Sequence, residues 1–218
     1  MLGYLHTFWE QFDWAGLLSA LQRVLGVLLC LTVHETCHGL AAYALGDPTA
    51  KRMRRLSLNP LHHIDWLGLA SMLICGFGWA KPVPVDMRYF KNKRVGMALT
   101  ALVGPLSNFL LALAALFFAS LIYRMELTGA FVVWLFYFLL TTAMLSIGLG
   151  LFNLVPIPPL DGSKALFSFL PEDAYNTLMR YERYGMAVLL LLVWLDIGSN
   201  ALSNGIYLIY QWMAGLFF

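Results

Sequence analysis

Residues 32–41 read TVHETCHGLA and lie inside an apolar stretch that runs from about residue 17 to residue 45. Three ionisable residues, His34, Glu35 and His38, fall close together in that stretch. An ionisable side chain near the middle of a bilayer costs about 2.5–3.5 kcal/mol on insertion scales, so such residues are rare there and mark functional sites. The stretch therefore predicts a membrane helix that carries a chemically active group.

The composition of the whole chain agrees with a membrane location. Of its 218 residues, 60% are hydrophobic and 12% are charged, and the mean hydropathy is +0.71. Because a soluble domain carries about 25% charged residues, we assign the chain to the polytopic membrane proteins. We expect a single domain over residues 1–218 with a core at about 15–170. The sequence has no basic patch interleaved with aromatic residues, so a nucleic-acid partner is not expected.

Three segments are long and apolar enough to span a bilayer, which takes about 20 residues. They cover residues 15–45, 95–122 and 128–153. The C-terminal region is apolar in two shorter pieces, 185–197 and 201–218, so we expect one or two further membrane segments there. The expected fold class is an all-α polytopic membrane protein with a core of three long transmembrane helices.

The basic residues predict the topology, because cytoplasmic loops carry an excess of Lys and Arg. One basic cluster at 51–55 precedes the short apolar segment 64–79, and a second cluster at 81–94 follows it. If this segment crossed the membrane, one cluster would lie outside, whereas a re-entrant or β-loop segment keeps both in the cytoplasm. Apart from Arg124 outside and Arg23 within the first helix, every Lys and Arg then lies on the cytoplasmic side.

The spacing of His34 and His38 places both imidazoles on one face of a helix, with Glu35 beside them. H-E-x-x-H on a helix is the signature of zinc peptidases, in which two imidazoles bind the metal and the glutamate is the general base. The alternative is that these side chains make polar contacts between packed helices. Three ionisable groups would then be uncompensated in the membrane, so the pattern favours a metal site.

A catalytic zinc site usually has a third protein ligand. Residues 153–166 read NLVPIPPLDGSKAL, and the prolines of this run cannot continue a helix. The turn that they form presents Asp161, whose carboxylate is either the third ligand or the N-cap of the next helix; the residues alone leave both open. Cys37 is a rival ligand beside His34, although Cys is also a common buried residue.

Together these motifs resemble those of the site-2 protease family of intramembrane zinc metalloproteases. HETCH at 34–38 is similar to the family's H-E-x-x-H, NLVPIPPLDG at 153–162 to its N-x-x-P-x-P-x-x-D-G, and GPLSN at 104–108 to its G-P-x-x-N. LNPLHHID at 58–65 and GWAKPVPV at 78–85 resemble connecting segments of bacterial members. The resemblance covers about residues 20–170 and is specific, because the motifs occur in order and each lies in an apolar setting.

The resemblance implies a role for each matched residue. His34, His38 and Asp161 would bind one Zn²⁺ per chain, Glu35 would be the general base of peptide-bond hydrolysis, and Asn153 would contact the substrate. It also implies a transmembrane protein or peptide substrate and a location in the bacterial cytoplasmic membrane, with the active site open to the cytoplasm. No stretch is long or polar enough for an inserted PDZ or CBS domain, so we expect a minimal member that is gated by other means or by a regulatory partner.

The KPVPV motif suggests how an extended substrate could be held. Pro82 and Pro84 remove donors from one edge of a strand, whereas Val83 and Val85 keep their N–H groups on the other, which predicts an edge strand for a substrate to join. The alternative is a proline-stiffened connection without substrate contact. Asn108, from GPLSN, is a further candidate substrate contact or a residue that bonds across helices.

A function of another class stays open at this point, namely a metal-binding membrane transporter or a scaffold without proteolytic activity. A transporter would need His34 and His38 along a through-path but no base at Glu35. A scaffold would usually have lost one of the catalytic residues, and all are present. His62 and His63 are flanked by basic residues and are typical of the membrane interface rather than of a metal site.

Overall fold

The computed structural model describes residues 13–75 and 78–218, and this part of the chain is largely helical. In chain order the helices are α1 (Trp14–Ala44), α2 (Thr49–Arg52), α3 (Trp66–Cys75), α4 (Lys93–Arg124), α5 (Ala130–Asn153), α6 (Asp161–Phe167), α7 (Glu172–Trp194) and α8 (Ser199–Ala214). Short 3-10 turns at Pro60–His62 and Met87–Tyr89 lie in the connections. The all-α fold class that the sequence predicts is confirmed.

Among the described residues, α1, α4 and α5 are the helices that are each long and apolar enough to cross a membrane, as the apolar segments predict. Helix α1 packs against both of the others. Small side chains bring the helices close together, with Ala112 and Ala115 of α4 beside Ala143 of α5 in the buried core. The polar residues of α1 are therefore enclosed by two other spanning helices.

The segment expected to re-enter the membrane contains a helix too short to cross it. Helix α3 has 10 residues, about 15 Å of helix against a hydrocarbon core of about 30 Å. Its two flanks meet, since Ile64 pairs with Ala80 in an antiparallel bridge and the Lys81 N–H donates to the His63 carbonyl at 2.9 Å. The chain thus enters and leaves this segment on one side. Residues 76 and 77 of the predicted segment lie outside the described residues.

The C-terminal helices form one bent path along the bundle, with Tyr184–Trp194 and Ser199–Ala214 meeting at 85°. Arg94, in the first turn of α4, donates to the Leu170 carbonyl at 2.6 Å, and Arg124, at the last turn, donates to the Phe217 carbonyl at 2.5 Å. The chain after α6 therefore runs from one end of α4 to the other. One or two C-terminal membrane segments were expected, and this bent pair is long and apolar enough for one further span broken at the bend, or for a re-entrant loop.

Candidate metal centre and active site

Three side chains that could hold a metal ion converge inside the bundle. His34 and His38 lie one turn apart on α1, and Asp161 is the first residue of α6. The Nε2 atoms of the two histidines are 3.0 Å apart, and each is 3.0 Å from Oδ2 of Asp161. Both histidines are buried, and 9% of Asp161 is exposed. These are the three ligands that the sequence predicts, and the fold brings them together although Asp161 lies far from the two histidines in the sequence.

The chemistry of these donor atoms fits a zinc ion. Nδ1 of His38 lies 2.7 Å from the Thr100 carbonyl oxygen, which can only accept, so Nδ1 carries the ring proton. In the neutral ring, Nε2 then presents a lone pair to the other imidazole and to the carboxylate. A cation among the three atoms would satisfy all of them at once. Two imidazole nitrogens and a carboxylate oxygen are a usual ligand set of catalytic zinc.

The proline-rich turn after α5 carries Asp161 to this point. Its backbone closes on itself through hydrogen bonds from Ile157 to Val155 and from Leu160 to Ile157. Gly162 is needed next, because a Cβ there would lie 2.2 Å from the Leu154 carbonyl oxygen. Helix α6 has no side-chain N-cap, and the Asp161 carboxylate faces the histidines instead. Of the two interpretations left open by the sequence, the geometry favours the ligand over the cap.

Glu35 shares one cavity with these three residues. The cavity has a volume of about 360 Å³, and Val83, Val85 and Asn153 also line it. Oε2 of Glu35 accepts a hydrogen bond of 2.8 Å from the Val83 N–H. The predicted general base thus lies beside the candidate metal ligands with one oxygen fixed by backbone.

The KPVPV segment does not form the edge strand predicted from its prolines, and its backbone is irregular. The prediction that both valines offer free donors is also wrong, because the N–H of Val83 donates to Glu35. Pro82 and Pro84 have no N–H, so too few groups remain for a ladder. The N–H of Val85 has no acceptor within residues 13–75 and 78–218, and it is the backbone donor that this segment leaves for the cavity.

Side chains hold this irregular segment in place of strand partners. Arg55 donates to the carbonyl oxygens of Lys81 and Pro82 at 2.7 and 3.2 Å. Asp47, which is completely buried, accepts from the Asp86 N–H at 2.7 Å. The loop after α1 and the segment before α4 therefore form one hydrogen-bonded unit beside Glu35, and Arg55 connects the two basic clusters directly.

Helix α4 contacts both histidines along one face, on which Thr100, Gly104 and Asn108 follow at intervals of one turn. The Thr100 carbonyl meets His38, and Nδ2 of Asn108 lies 3.3 Å from Nδ1 of His34. A Cβ on Gly104 would lie 2.3 Å from His38 Nε2. The GPLSN motif pointed to two of these positions. Thr100 had no signal in the sequence, because it acts through its backbone carbonyl.

The remaining candidates are not members of the ligand group. Asn108 is fully buried and is not among the residues that line the cavity. Cys37, His62 and His63 do not belong to the ligand group, and His63 is instead buried with Nε2 2.8 Å from the Ser57 carbonyl. The sequence also gave no sign that Met186 and Leu189 of α7 would line the cavity.

Comparison with known proteins extends this picture. The model of peptidase family M50 matches residues 121–195. A Bacillus subtilis (strain 168) protein named "Putative zinc metalloprotease YwhC" is 39% identical over 181 residues, which cover 82% of this chain and 83% of that protein. A Mycolicibacterium smegmatis protein named "Putative zinc metalloprotease Rip2" is 29% identical over 185 residues, which cover 78% of this chain and 65% of that protein. No solved structure matches the chain.

Proposed function

This chain belongs to peptidase family M50, the site-2 protease family, and from that premise we propose that it cleaves peptide bonds within or next to transmembrane segments of other membrane proteins. It is a metallopeptidase with a zinc cofactor, and its three spanning helices make it an integral membrane protein. One observation carries the proposal: the ligand triad and Glu35 line a single cavity to which all three described helices long and apolar enough to span a membrane contribute.

In this proposal His34, His38 and Asp161 hold one zinc ion per chain. When bound, the ion supplies Lewis-acid polarisation of the scissile carbonyl and makes water more acidic. His38 keeps its Nδ1 proton on the Thr100 carbonyl, so that its Nε2 stays available as a ligand. Asp161 adds a negative charge that offsets part of the charge of the ion.

Glu35 acts first as general base and then as general acid. Its carboxylate takes a proton from the attacking water and later gives a proton to the nitrogen of the leaving amine. The Val83 N–H holds Oε2 at 2.8 Å, which fixes the orientation of the carboxylate and leaves Oε1 for the proton.

An extended stretch of substrate lies across the cavity between Val85 and Asn153. A transmembrane helix hides its carbonyls until it unwinds, and unwound backbone in a membrane needs new hydrogen-bond partners. The Val85 N–H can donate to a substrate carbonyl. The Asn153 amide uses its N–H on the Leu149 carbonyl at 3.0 Å, which leaves its oxygen for a substrate N–H.

The cavity opens toward the cytoplasm of a bacterial cell in this proposal. The two basic clusters flank the short apolar segment at 64–79, and the contact from Arg55 to the Lys81 carbonyl keeps them on the same side. Cytoplasmic loops carry the excess of basic residues in membrane proteins, so the end of the bundle that carries both clusters faces inward.

The variant Glu35→Gln tests the proposal. The amide keeps the size of the side chain but cannot accept a proton, so cleavage is expected to fall about 10²–10⁴-fold, while bound zinc, measured on the purified protein, stays at the wild-type level. Uncleaved membrane-protein precursors should accumulate in cells that carry this variant and not in cells that carry Glu126→Gln, a matched change in the loop between α4 and α5. Undiminished cleavage would refute the role of Glu35, and metal transport that survives in Glu35→Gln would favour a transporter.

A further inference from the structure

We propose that Asn108 is a positioning residue that accepts a hydrogen bond from Nδ1–H of His34 and thereby fixes the ring form in which Nε2 can bind zinc. This inference rests on the proposed function, in which His34 is a metal ligand. Asn108 then contacts the ring of His34 on the side that faces away from the cavity. This role replaces the substrate contact expected from the sequence.

The two nitrogens of His34 have different surroundings. Nε2 is the atom that lies 3.0 Å from Asp161 Oδ2, and Nδ1 is the atom that lies 3.3 Å from the side-chain amide of Asn108. A neutral imidazole has one donor and one acceptor nitrogen. If Nε2 gives its lone pair to a metal, Nδ1 must carry the proton, and that buried N–H needs an acceptor.

Asn108 can supply this acceptor. Its side chain is completely buried, and its Oδ1 has no hydrogen-bond partner in the described part of the chain. The oxygen and nitrogen of an amide exchange places when the group turns by half a revolution. In that orientation Oδ1 meets the His34 N–H, which removes an unpaired acceptor and gives the ring the proton position that metal binding requires.

The surrounding contacts hold Asn108 at the right place. The Ser146 hydroxyl of α5 donates to the Asn108 backbone carbonyl at 2.8 Å, so this turn of α4 is tied to its neighbour. On the same face of α4, the Thr100 carbonyl holds the Nδ1 proton of His38 at 2.7 Å. Helix α4 therefore supplies the hydrogen-bond partner for the Nδ1 atom of both histidines. Only the His34 partner is a side chain, so only there does the residue type decide the outcome.

Two substitutions of Asn108 distinguish the effect of its hydrogen-bond acceptor from the effect of the space that its side chain fills. Asn108→Leu has the same branched side-chain shape and no acceptor, and loss of such an outer partner typically weakens metal binding 10–100-fold. Asn108→Asp has an acceptor and no amide donor, so it should bind zinc within a few-fold of wild type or more tightly. If the Asn108 amide instead donated to His34, Asn108→Asp would be the damaging change.

The experiment measures the zinc dissociation constant of the purified full chain in detergent at pH 7, by competition with a chelator. The absorption spectrum of the Co²⁺-loaded protein gives a second readout of the ligand geometry, independent of peptidase activity. Ser107→Ala is the matched control, since Ser107 is a buried neighbour whose hydroxyl, within the described residues, bonds only the Gly104 carbonyl of its own helix. We expect at least tenfold weaker binding and an altered spectrum for Asn108→Leu, and wild-type behaviour for Asn108→Asp and Ser107→Ala.

Wild-type affinity in Asn108→Leu would overturn the inference, and so would a tenfold loss in Asn108→Asp. If Asn108→Leu does not fold, the zinc affinity of Asn108→Asp decides alone, and a tenfold loss of that affinity overturns the inference. The inclusion of His34→Ala separates this inference from the proposed function. If that variant binds zinc as the wild type does, the proposed metal site itself is wrong; if it loses zinc while Asn108→Leu does not, only the role of Asn108 fails.

Discussion

At the scale of the single residue, Gly104 shows how little room the two histidines have. A Cβ at this position would lie 2.3 Å from Cε1 and Nε2 of His38 and 2.8 Å from Cε1 of His34. We predict that Gly104→Ala lowers the zinc affinity at least tenfold, because both rings must move from the positions that bring their Nε2 atoms together. Chelator competition on the purified protein measures the effect.

The matched control for this prediction is Gly148→Ala in α5. There, among the residues that the structure describes, a Cβ would meet only Cδ1 of Ile206, at 3.3 Å, which is the end of a flexible side chain. Zinc affinity should stay at the wild-type level in this variant. Equal affinities in both alanine variants would mean that the histidine rings do not depend on the space that Gly104 provides.

At the scale of the element, the irregular segment before α4 donates its Val83 N–H to Glu35, and its Val85 N–H is proposed to bind substrate. We predict that Val83→Pro lowers kcat, because it removes the N–H that orients Glu35. Val85→Pro should instead raise KM with a smaller effect on kcat, because the free N–H that it removes is proposed to bind substrate. Steady-state kinetics on a membrane-inserted substrate distinguish the two.

Val85→Ala is the control, since it keeps the N–H and changes only the side chain. It should leave both constants near those of the wild type. A Val85→Pro variant with unaltered KM would show that the substrate takes its hydrogen bonds from another part of the cavity.

The same segment shows where sequence reasoning succeeds and where it stops. The spans were predictable because about 20 apolar residues have no other stable solution in a bilayer, and the turn at Asp161 was predictable because prolines end a helix. Residues 81–85 were predicted as an edge strand because their prolines alternate. The backbone of this segment and of Asp86 is held instead by Arg55, Glu35 and Asp47, and the sequence does not reveal contacts between side chains and a distant backbone. The Thr100 carbonyl was missed for the same reason.

At the scale of the whole molecule, the two ends of α4 define two sides. The end with Arg94 meets Leu170, and the end with Arg124 meets Phe217. Because both basic clusters lie at the first end, we predict that the C-terminus lies on the side of the membrane opposite to them. Single cysteines at Met53, Lys91 and Phe218 test this with a thiol reagent that does not cross membranes.

Met53→Cys and Lys91→Cys should react only after the cells are opened, whereas Phe218→Cys should react in intact cells. The wild-type chain is the control for its own cysteines, of which Cys30 is buried. Reaction of positions 53 and 91 from opposite sides would contradict the paired flanks of α3, and protection of position 218 would contradict the predicted single crossing after α6.

The convergence of ligands from α1 and α6 also links zinc binding to the stability of the fold. His38 and Asp161 are 123 positions apart in the sequence, so an ion that binds both fastens a long loop, whose closure is entropically costly in the unfolded state. An ion that binds only the folded form at 100 times its dissociation constant adds about 2.7 kcal/mol of stability, or about 5–10 °C of melting temperature for a chain of this size. Removal of zinc should lower the melting temperature of Glu35→Gln as much as that of the wild type, and should leave Asp161→Ala unchanged. In this protein the catalytic ion would then also serve as a clasp that holds the two halves of the fold together.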